Sequence, residues 1–159
     1  MRYDYDVIVV GAGPAGSSTA LYSAQLGLRV LLVDRGRFPR EKICGDGLTR
    51  DCFPHLGELG VLTQVERSVH ADIRSALLVA PNGRGVSLDI PGPLYVCRRR
   101  IFDDILFQAA RQKVDSLEGC TVRNVRVEGG RVCGIEGNGS ERKTVSFTGL
   151  LELLDPIRF

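Results

Sequence analysis

A chain of 159 residues, 43% hydrophobic and 25% charged, is long enough for one domain with a real core, and its even composition excludes disorder, collagen, coiled coil and repeat arrays. Basic and acidic side chains number 21 and 19, a formal charge of +2 in which Arg98-Arg99-Arg100 is the one short basic run, and the few aromatics do not interleave with basic residues, so no nucleic-acid surface is expected. The apolar run Val7 to Val10 is too short to span a bilayer, and Asp4 and Asp6 stand where a signal peptide would be positive; the chain reads as cytoplasmic.

Asp6-Val7-Ile8-Val9-Val10 is a β-branched apolar run of the kind that forms a buried parallel strand. Gly11-Ala12-Gly13-Pro14-Ala15-Gly16 follows at once. Gly11 permits a tight turn, Gly13 lets backbone approach a pyrophosphate, and Gly16 lets the ensuing helix pack closely on the strand and aim its free N–H groups at phosphate. Ala20 and Ala24 continue a small-residue face from Gly16, and Gly27 ends that helix. Arg29 to Val33 reads as a second buried strand that stops at Asp34. A carboxylate there accepts both hydroxyls of an adenosine ribose and repels a 2′-phosphate. The ordered set points to an adenine dinucleotide; a bare structural turn with Asp34 as an ordinary cap is the competing reading. FAD against NAD stays open, because both carry the same ADP half.

Beyond Asp34, Gly45 and Gly47 flank Asp46 in a loop whose backbone comes close to something flat or charged. Leu48, Cys52, Leu56 and Leu59 share one helical face, which places Cys52 in a core. Ile73 to Ala80 and Gly85 to Ile90 flank Asn82-Gly83, a hairpin signal. Ile101, Phe102, Ile105, Leu106 and Ala109 recur at spacings of three and four and predict a helix. A second hairpin is expected where Val125 and Val127 alternate with Arg126 and Glu128, Gly129-Gly130 turns the chain, and Arg131 to Ile135 returns. Five cysteines (Cys44, Cys52, Cys97, Cys120 and Cys133) show no Cys-x-x-Cys pair and no nearby histidine, so neither a disulfide framework nor a metal site is expected. His55 and His70 stand in no motif and read as surface or satisfied core groups.

Three segments together carry a family resemblance: Tyr5 to Gly16, Phe38-Pro39-Arg40-x-Lys42-x-Cys44-Gly45-Asp46-Gly47, and Arg99-Arg100-Ile101-Phe102-Asp103. The chain resembles the geranylgeranyl reductase family of flavoproteins, within the larger p-hydroxybenzoate-hydroxylase-like FAD group. The resemblance implies an α/β fold, a Rossmann-like FAD/NAD(P)-binding domain with a central parallel sheet and additional β-hairpins. It also implies FAD as cofactor, with NAD(P)H a candidate electron donor, and hydride transfer to isolated C=C bonds of prenyl chains in isoprenoid lipids or quinone tails. The positions that match flavin-contacting motifs are Gly11, Gly13, Ala15, Gly16, Asp34, Arg40, Gly45, Asp46 and Arg99. Arg99 has a competing reading as a solvated member of its basic run. Cys44, beside Lys42, is a candidate for a place near the substrate, against a reading as a small filler next to the flavin.

The resemblance covers residues 5 to 136, and family members continue into a further strand, a second FAD-holding motif and a substrate domain. The expectation is therefore a fold incomplete at the C-terminus: an FAD-binding part over 1–136, a tail of uncertain structure over 137–159 that does not match the family, and no substrate domain. Such a sheet would expose an edge. Leu150-Leu151 and Leu153-Leu154 are candidates for a short helix, a strand or an exposed patch. Two alternatives accompany the reductase reading. One is an FAD-dependent monooxygenase or halogenase, against which stand the Phe38-Pro39 and Cys44 to Gly47 segments and, for a halogenase with its Trp-x-Trp motif, the lack of any tryptophan. The other is a non-catalytic nucleotide-binding remnant. Association of the complete enzyme with a membrane surface rests on the resemblance, since no amphipathic anchor is visible.

Overall fold

The computed structural model describes residues 4–138, 144–148 and 150–153. In chain order they form β1 (Val7–Val10), α1 (Pro14–Gln25), β2 (Val30–Asp34), β3 (Gly47–Leu48), α2 (Cys52–Glu58), α3 (Leu62–Arg67), β4 (Ala71–Asp72), β5 (Ser75–Val79) and β6 (Gly85–Asp89). These are followed by β7 (Tyr95–Val96), α4 (Arg99–Arg111), β8 (Asp115–Glu118), β9 (Thr121–Glu128), β10 (Arg131–Asn138), β11 (Thr144–Thr148) and β12 (Leu150–Leu153). The chain divides into two compact units, one running to Arg40 and resuming at Asp103, the other Glu41–Phe102, with the division inside α4.

The first unit is built on a four-stranded sheet of order β12-β1-β2-β8, parallel throughout. Parallel neighbours need a crossover, and α1 supplies it between β1 and β2. Both strands are apolar at nearly every position because they are covered on both faces; Ile8, Val9, Leu32 and Val33 have no exposed surface. Gly16, Ser17, Ala20 and Leu21 are the buried face of α1, while Ala24 is only half-buried. The start of β1 is tied to β2 by Asp6, whose carboxylate accepts the Arg29 backbone N–H at 2.8 Å and its guanidinium at 2.8 and 3.1 Å. That pairing holds the Asp6 carboxyl below its usual range.

Next to it lies an antiparallel sheet, β11-β10-β9, whose second hairpin turns at Gly129-Gly130. Ile8, Leu31, Val33, Cys120 and Ile135 form a core cluster, with Tyr5, Val10, Leu117 and Val122 packed against it. Of the helix, strand or patch left open for the leucines of the tail, Leu150 to Leu153 form a strand that pairs in parallel with Val7 to Val10. The tail residues 139–143, 149 and 154–159, including Leu154, lie outside the described residues.

α4 forms where the spacing predicts it, but its buried face is displaced by one position. Phe102, Asp103, Leu106, Phe107 and Ala110 are buried, whereas Ile101, Ile105 and Ala109 are half-buried. Spacing cannot choose between two adjacent stripes when both carry apolar residues, and a buried aspartate is not a signal that apolar periodicity registers. Phe107 stacks on Phe38 with 4.2 Å between ring centroids.

The second unit carries a three-stranded antiparallel sheet, β3-β7-β4, the separate hairpin β5–β6, and the short helices α2 and α3. Leu48, Leu56 and Leu59 are buried as expected, but Leu48 sits on β3 rather than a helix, and Cys52 is half-buried. His70 is a satisfied group, stacked on Tyr95 at 4.1 Å with Nδ1 2.9 Å from the Ser68 carbonyl, and His55 is at the surface. The β5–β6 hairpin turns at Asn82-Gly83 as predicted. All five cysteines are free thiols; burial pushes those of Cys97 and Cys120 up.

Because Phe107 is fully buried and stacked, Phe107→Ala is expected to lower the unfolding free energy by about 3–5 kcal/mol, read by urea denaturation. A loss below 1 kcal/mol would show that the Phe38–Phe107 contact is not a packed one.

Candidate nucleotide site

Two glycines shape the loop after β1. Gly11 has a φ of 101°, in the left-handed region, and its N–H donates to the Val33 carbonyl at 2.7 Å, so the chain turns while still bonded to β2. A Cβ on Gly16 would overlap the Gly11 carbonyl oxygen and stand 2.9 Å from the carbonyl carbon. No side chain fits there, and α1 therefore starts directly against the loop. Gly13 is the extended N-terminal cap of α1, Pro14 lies in its first turn, and neither a side-chain cap nor an acidic residue occupies that end. Ser17 N–H finds the Gly13 carbonyl at 2.9 Å. The N–H groups of Ala15 and Gly16 precede it and have no carbonyl within the helix. The positive end of the helix dipole is thus presented to an anion such as a pyrophosphate.

The Asp34 carboxylate stands at the end of β2, 6% exposed. Its Oδ2 accepts the Ala12 N–H at 2.7 Å, and its Oδ1 accepts the Gly36 N–H at 2.7 Å. Arg40 folds back over it, with Nη2 3.4 Å from Asp34 Oδ2 and Nη1 3.3 Å from Oδ2 of the fully buried Asp103 on α4. The guanidinium rests on the Phe38 ring, Cζ 4.8 Å from the centroid. Gly36 makes room for this fold: a Cβ there would stand 2.6 Å from Arg40 Cδ. The loop from β2 is anchored further by Phe38 N–H on Glu118 Oε1 at 2.6 Å and Gly119 N–H on the Gly36 carbonyl at 3.0 Å.

A carboxylate offers about four acceptor directions, and Ala12, Gly36 and Arg40 already address three of them. The direction left over lies on Oδ1, open to a ribose hydroxyl. Arg40 Nε is buried without a hydrogen-bond partner among the described residues. Such a donor costs about 1–3 kcal/mol until an acceptor reaches it, and a ribose or phosphate oxygen is the acceptor that a nucleotide would supply. With the cradle at Gly16 and the uncapped helix end, the residues present fit an adenine dinucleotide. Gly11, Gly13, Ala15, Gly16, Asp34 and Arg40 gather at one strand-and-helix junction. The sequence reading missed the roles of Gly36 and Asp103; an Asp-x-Gly immediately after β2 was the available signal for the first, and Asp103 carried none beyond its family motif.

The remaining candidates, Cys44, Gly45, Asp46 and Arg99, belong to the second unit. Cys44, Asp46 and Arg99 line a cleft of about 290 Å³ together with Glu41, Lys42, Ile43 and Arg98. Asp46 has a φ of 58°; its carbonyl accepts the Cys97 N–H at 2.9 Å, and its Oδ1 faces the Arg99 N–H at 3.4 Å, on the first residue of α4. Asp46 therefore has a structural task in holding the helix start, apart from any contact with a flavin. Open space surrounds Gly45 and Gly47 where a Cβ would lie. Cys44 is exposed, and the backbone N–H of Asp46, then the Arg99 side chain, hold its thiol below the usual cysteine range. Arg99 is bonded into this loop rather than standing as one of three solvated arginines.

Strand, glycine loop, helix, second strand and terminal carboxylate define a dinucleotide-binding α/β unit. The chain belongs to the FAD-dependent oxidoreductases: the family model described as FAD dependent oxidoreductase matches residues 6–149. That span runs past Glu136, and it settles FAD over NAD as the cofactor. Digeranylgeranylglycerophospholipid reductase 2 of Methanopyrus kandleri is 34% identical over 140 residues, 87% of this chain and 34% of that protein. Menaquinone reductase of Mycolicibacterium smegmatis is 42% identical over 89 residues, 55% of this chain and 20% of that protein. The myxobacterial chondrochloren halogenase, described as a variant of FAD-dependent halogenases, shares the fold with a TM-score of 0.89 at 27% identity, covering 98% of this chain and 38% of that one. The chain spans about a third of the length of the first of these reductases.

The Cys44 geometry has a measurable consequence. Its alkylation by iodoacetamide, followed on the Cys44 peptide by mass spectrometry, is expected to reach half its plateau at a lower pH than an unperturbed cysteine, because the thiolate is the nucleophile. Arg99→Ala moves that midpoint part of the way back up, with the Asp46 N–H retaining the larger share; an unmoved midpoint would remove Arg99 from the thiol.

Proposed function

We propose that the chain is the FAD-binding part of a reductase that saturates isolated C=C bonds in prenyl chains, those of isoprenoid lipids or quinone tails. The observation that carries the substrate class is the kinship, over 87% of this chain, with a protein named as a digeranylgeranylglycerophospholipid reductase, joined by a menaquinone reductase over 55%. FAD, when bound, supplies hydride chemistry, and NAD(P)H is a suitable donor of that hydride. The chain's own residues bind and orient. The N–H groups at the start of α1, with Gly11, Gly13, Ala15 and Gly16, hold the pyrophosphate. Asp34 accepts a ribose hydroxyl and, with Arg40, fixes the adenosine side. Gly45, Asp46 and Arg99 serve the flavin side, and Cys44 stands near the substrate. No helix among the described residues is long and apolar enough to cross a membrane; a cytoplasmic enzyme working at a membrane surface on lipid substrates agrees with that.

The likeness to an FAD-dependent halogenase favours a second reading, halogenation or monooxygenation by the same nucleotide unit. The two part on what the reduced, FAD-loaded protein does with a geranylgeranyl lipid in vesicles under anaerobic conditions. Hydrogenated lipid in the mass spectrum belongs to the reductase; a requirement for oxygen and halide belongs to the alternative.

The first test is the visible spectrum of the purified chain after incubation with FAD and desalting. Flavin bands are expected to stay with the protein, and a folded but colourless chain would overturn the proposal that these residues form the cofactor site by themselves. Asp34→Ala is expected to weaken FAD binding by about 1.5–3 kcal/mol, roughly ten- to hundredfold, in a titration run on protein whose melting shows it folded. Unchanged affinity would release that carboxylate from the ribose.

A further inference from the structure

We propose that Asp103 is a positioning residue of the nucleotide site: it holds the Arg40 guanidinium in place beside Asp34, so that Arg40 Nε is ready for an oxygen of the ADP half of FAD. The inference rests on the FAD reading above and adds a residue that neither the glycine loop nor the end of β2 contains.

Asp103 lies on α4, fully buried, on a stripe otherwise made of Phe102, Leu106, Phe107 and Ala110. An apolar side chain would serve helix packing better at such a place, and a fully buried acid is uncommon unless paired. Its partner is Arg40, at 3.3 Å, and the same guanidinium reaches Asp34 at 3.4 Å from its other terminal nitrogen. Arginine is suited to this, because its planar fork spans two carboxylates in fixed directions where an ammonium would sit as a point charge. The stem passes where a side chain at position 36 would stand, and the ring of Phe38 covers one face of the guanidinium. With both terminal nitrogens engaged by carboxylates, Nε is buried and unpartnered among the described residues. Asp103 thereby sets which way the Nε–H of Arg40 is aimed while touching no ligand itself. The acceptor that Nε awaits is an oxygen of ribose or of phosphate, chemistry that FAD and ADP share and that free adenosine supplies only in part.

The test is a thermodynamic cycle. FAD and ADP are titrated calorimetrically into the wild-type chain, Asp103→Asn, Arg40→Met and the double variant, each with its melting temperature recorded without ligand. Asp103→Asn keeps the shape and removes the charge. It is expected to weaken FAD and ADP alike by about tenfold. In the Arg40→Met background the same change is expected to alter affinity less than about twofold, because its effect passes through Arg40. A merely structural role would lower melting and leave that coupling at zero. Should Asp103→Asn fail to fold, Arg40→Lys takes its place: charge is kept and the fork is lost, and the same weakening is expected. Wild-type-like affinity in Asp103→Asn or Arg40→Lys, or losses that simply add in the double variant, would overturn the proposal while the FAD site stands. If the wild type takes up neither FAD nor ADP, the FAD reading falls and this proposal falls with it. Adenosine, titrated alongside, tells the two oxygen sources apart: the Asp103→Asn deficit persists with adenosine if Nε meets the ribose and vanishes if it meets phosphate.

Discussion

The buried carboxylate of Asp34 is the interaction on which the first unit converges. By accepting the Ala12 N–H it pins the glycine loop, by accepting the Gly36 N–H it turns the chain out of β2, and through Arg40 it reaches Asp103 on α4. Taken out of water, a carboxylate is expensive unless each oxygen is met by donors, and here three separate segments supply them. The same bonds that make its burial tolerable hold the loop, the strand end and the helix at fixed distances. Removing one donor therefore does more than lose one bond; it leaves charge in a place where water cannot easily follow.

That arrangement also bears on which ribose such a site would suit. Asp34 and Asp103 share the Arg40 guanidinium, so the cation that folds back over the end of β2 is already engaged by carboxylates. A 2′-phosphate would have to approach Asp34 against repulsion, whereas a hydroxyl arrives as a donor to Oδ1. The anion that the unit does welcome is met elsewhere, at the uncapped start of α1, where Ala15 and Gly16 offer N–H groups and no acidic side chain intervenes. A ribose hydroxyl and a pyrophosphate would thus meet opposite fields within a few residues of each other.

What could be read from the chain alone follows the range of the physics involved. β1, the glycine loop, α1 and β2 were legible because each is fixed by neighbours in sequence: β-branched runs, a cap, a Gly stop, a terminal acid. Both hairpins were legible for the same reason, through Asn82-Gly83 and Gly129-Gly130. Periodicity found α4 and named Phe102 and Leu106, which are buried, together with Ile101, Ile105 and Ala109, which are half-buried, since nothing local tells that Asp103 and Phe107 also face inward. The pairing of Leu150–Leu153 with β1 joins segments more than a hundred positions apart, and the leucine pattern allowed a helix equally well. In the same way, the Asp34–Arg40–Asp103 arrangement is made by the fold, and the sequence announces its three members only as parts of separate motifs.

The comparisons can now be understood through the chemistry of the residues they cover. Reductases and a halogenase both match this chain, and the ADP half of FAD asks the same of every enzyme that uses it: a close-packed glycine turn, a free helix end and a ribose acceptor. None of those demands depends on whether the flavin passes a hydride to an alkene or engages oxygen. The segment Phe38 to Gly47 leaves the Asp34 junction and carries on to Cys44 and Asp46, which line a cleft with Arg99. There the lowered thiol and the positive-φ aspartate are not needed to bind adenosine. The nucleotide junction, however well formed, is therefore silent about which of those chemistries the flavin performs.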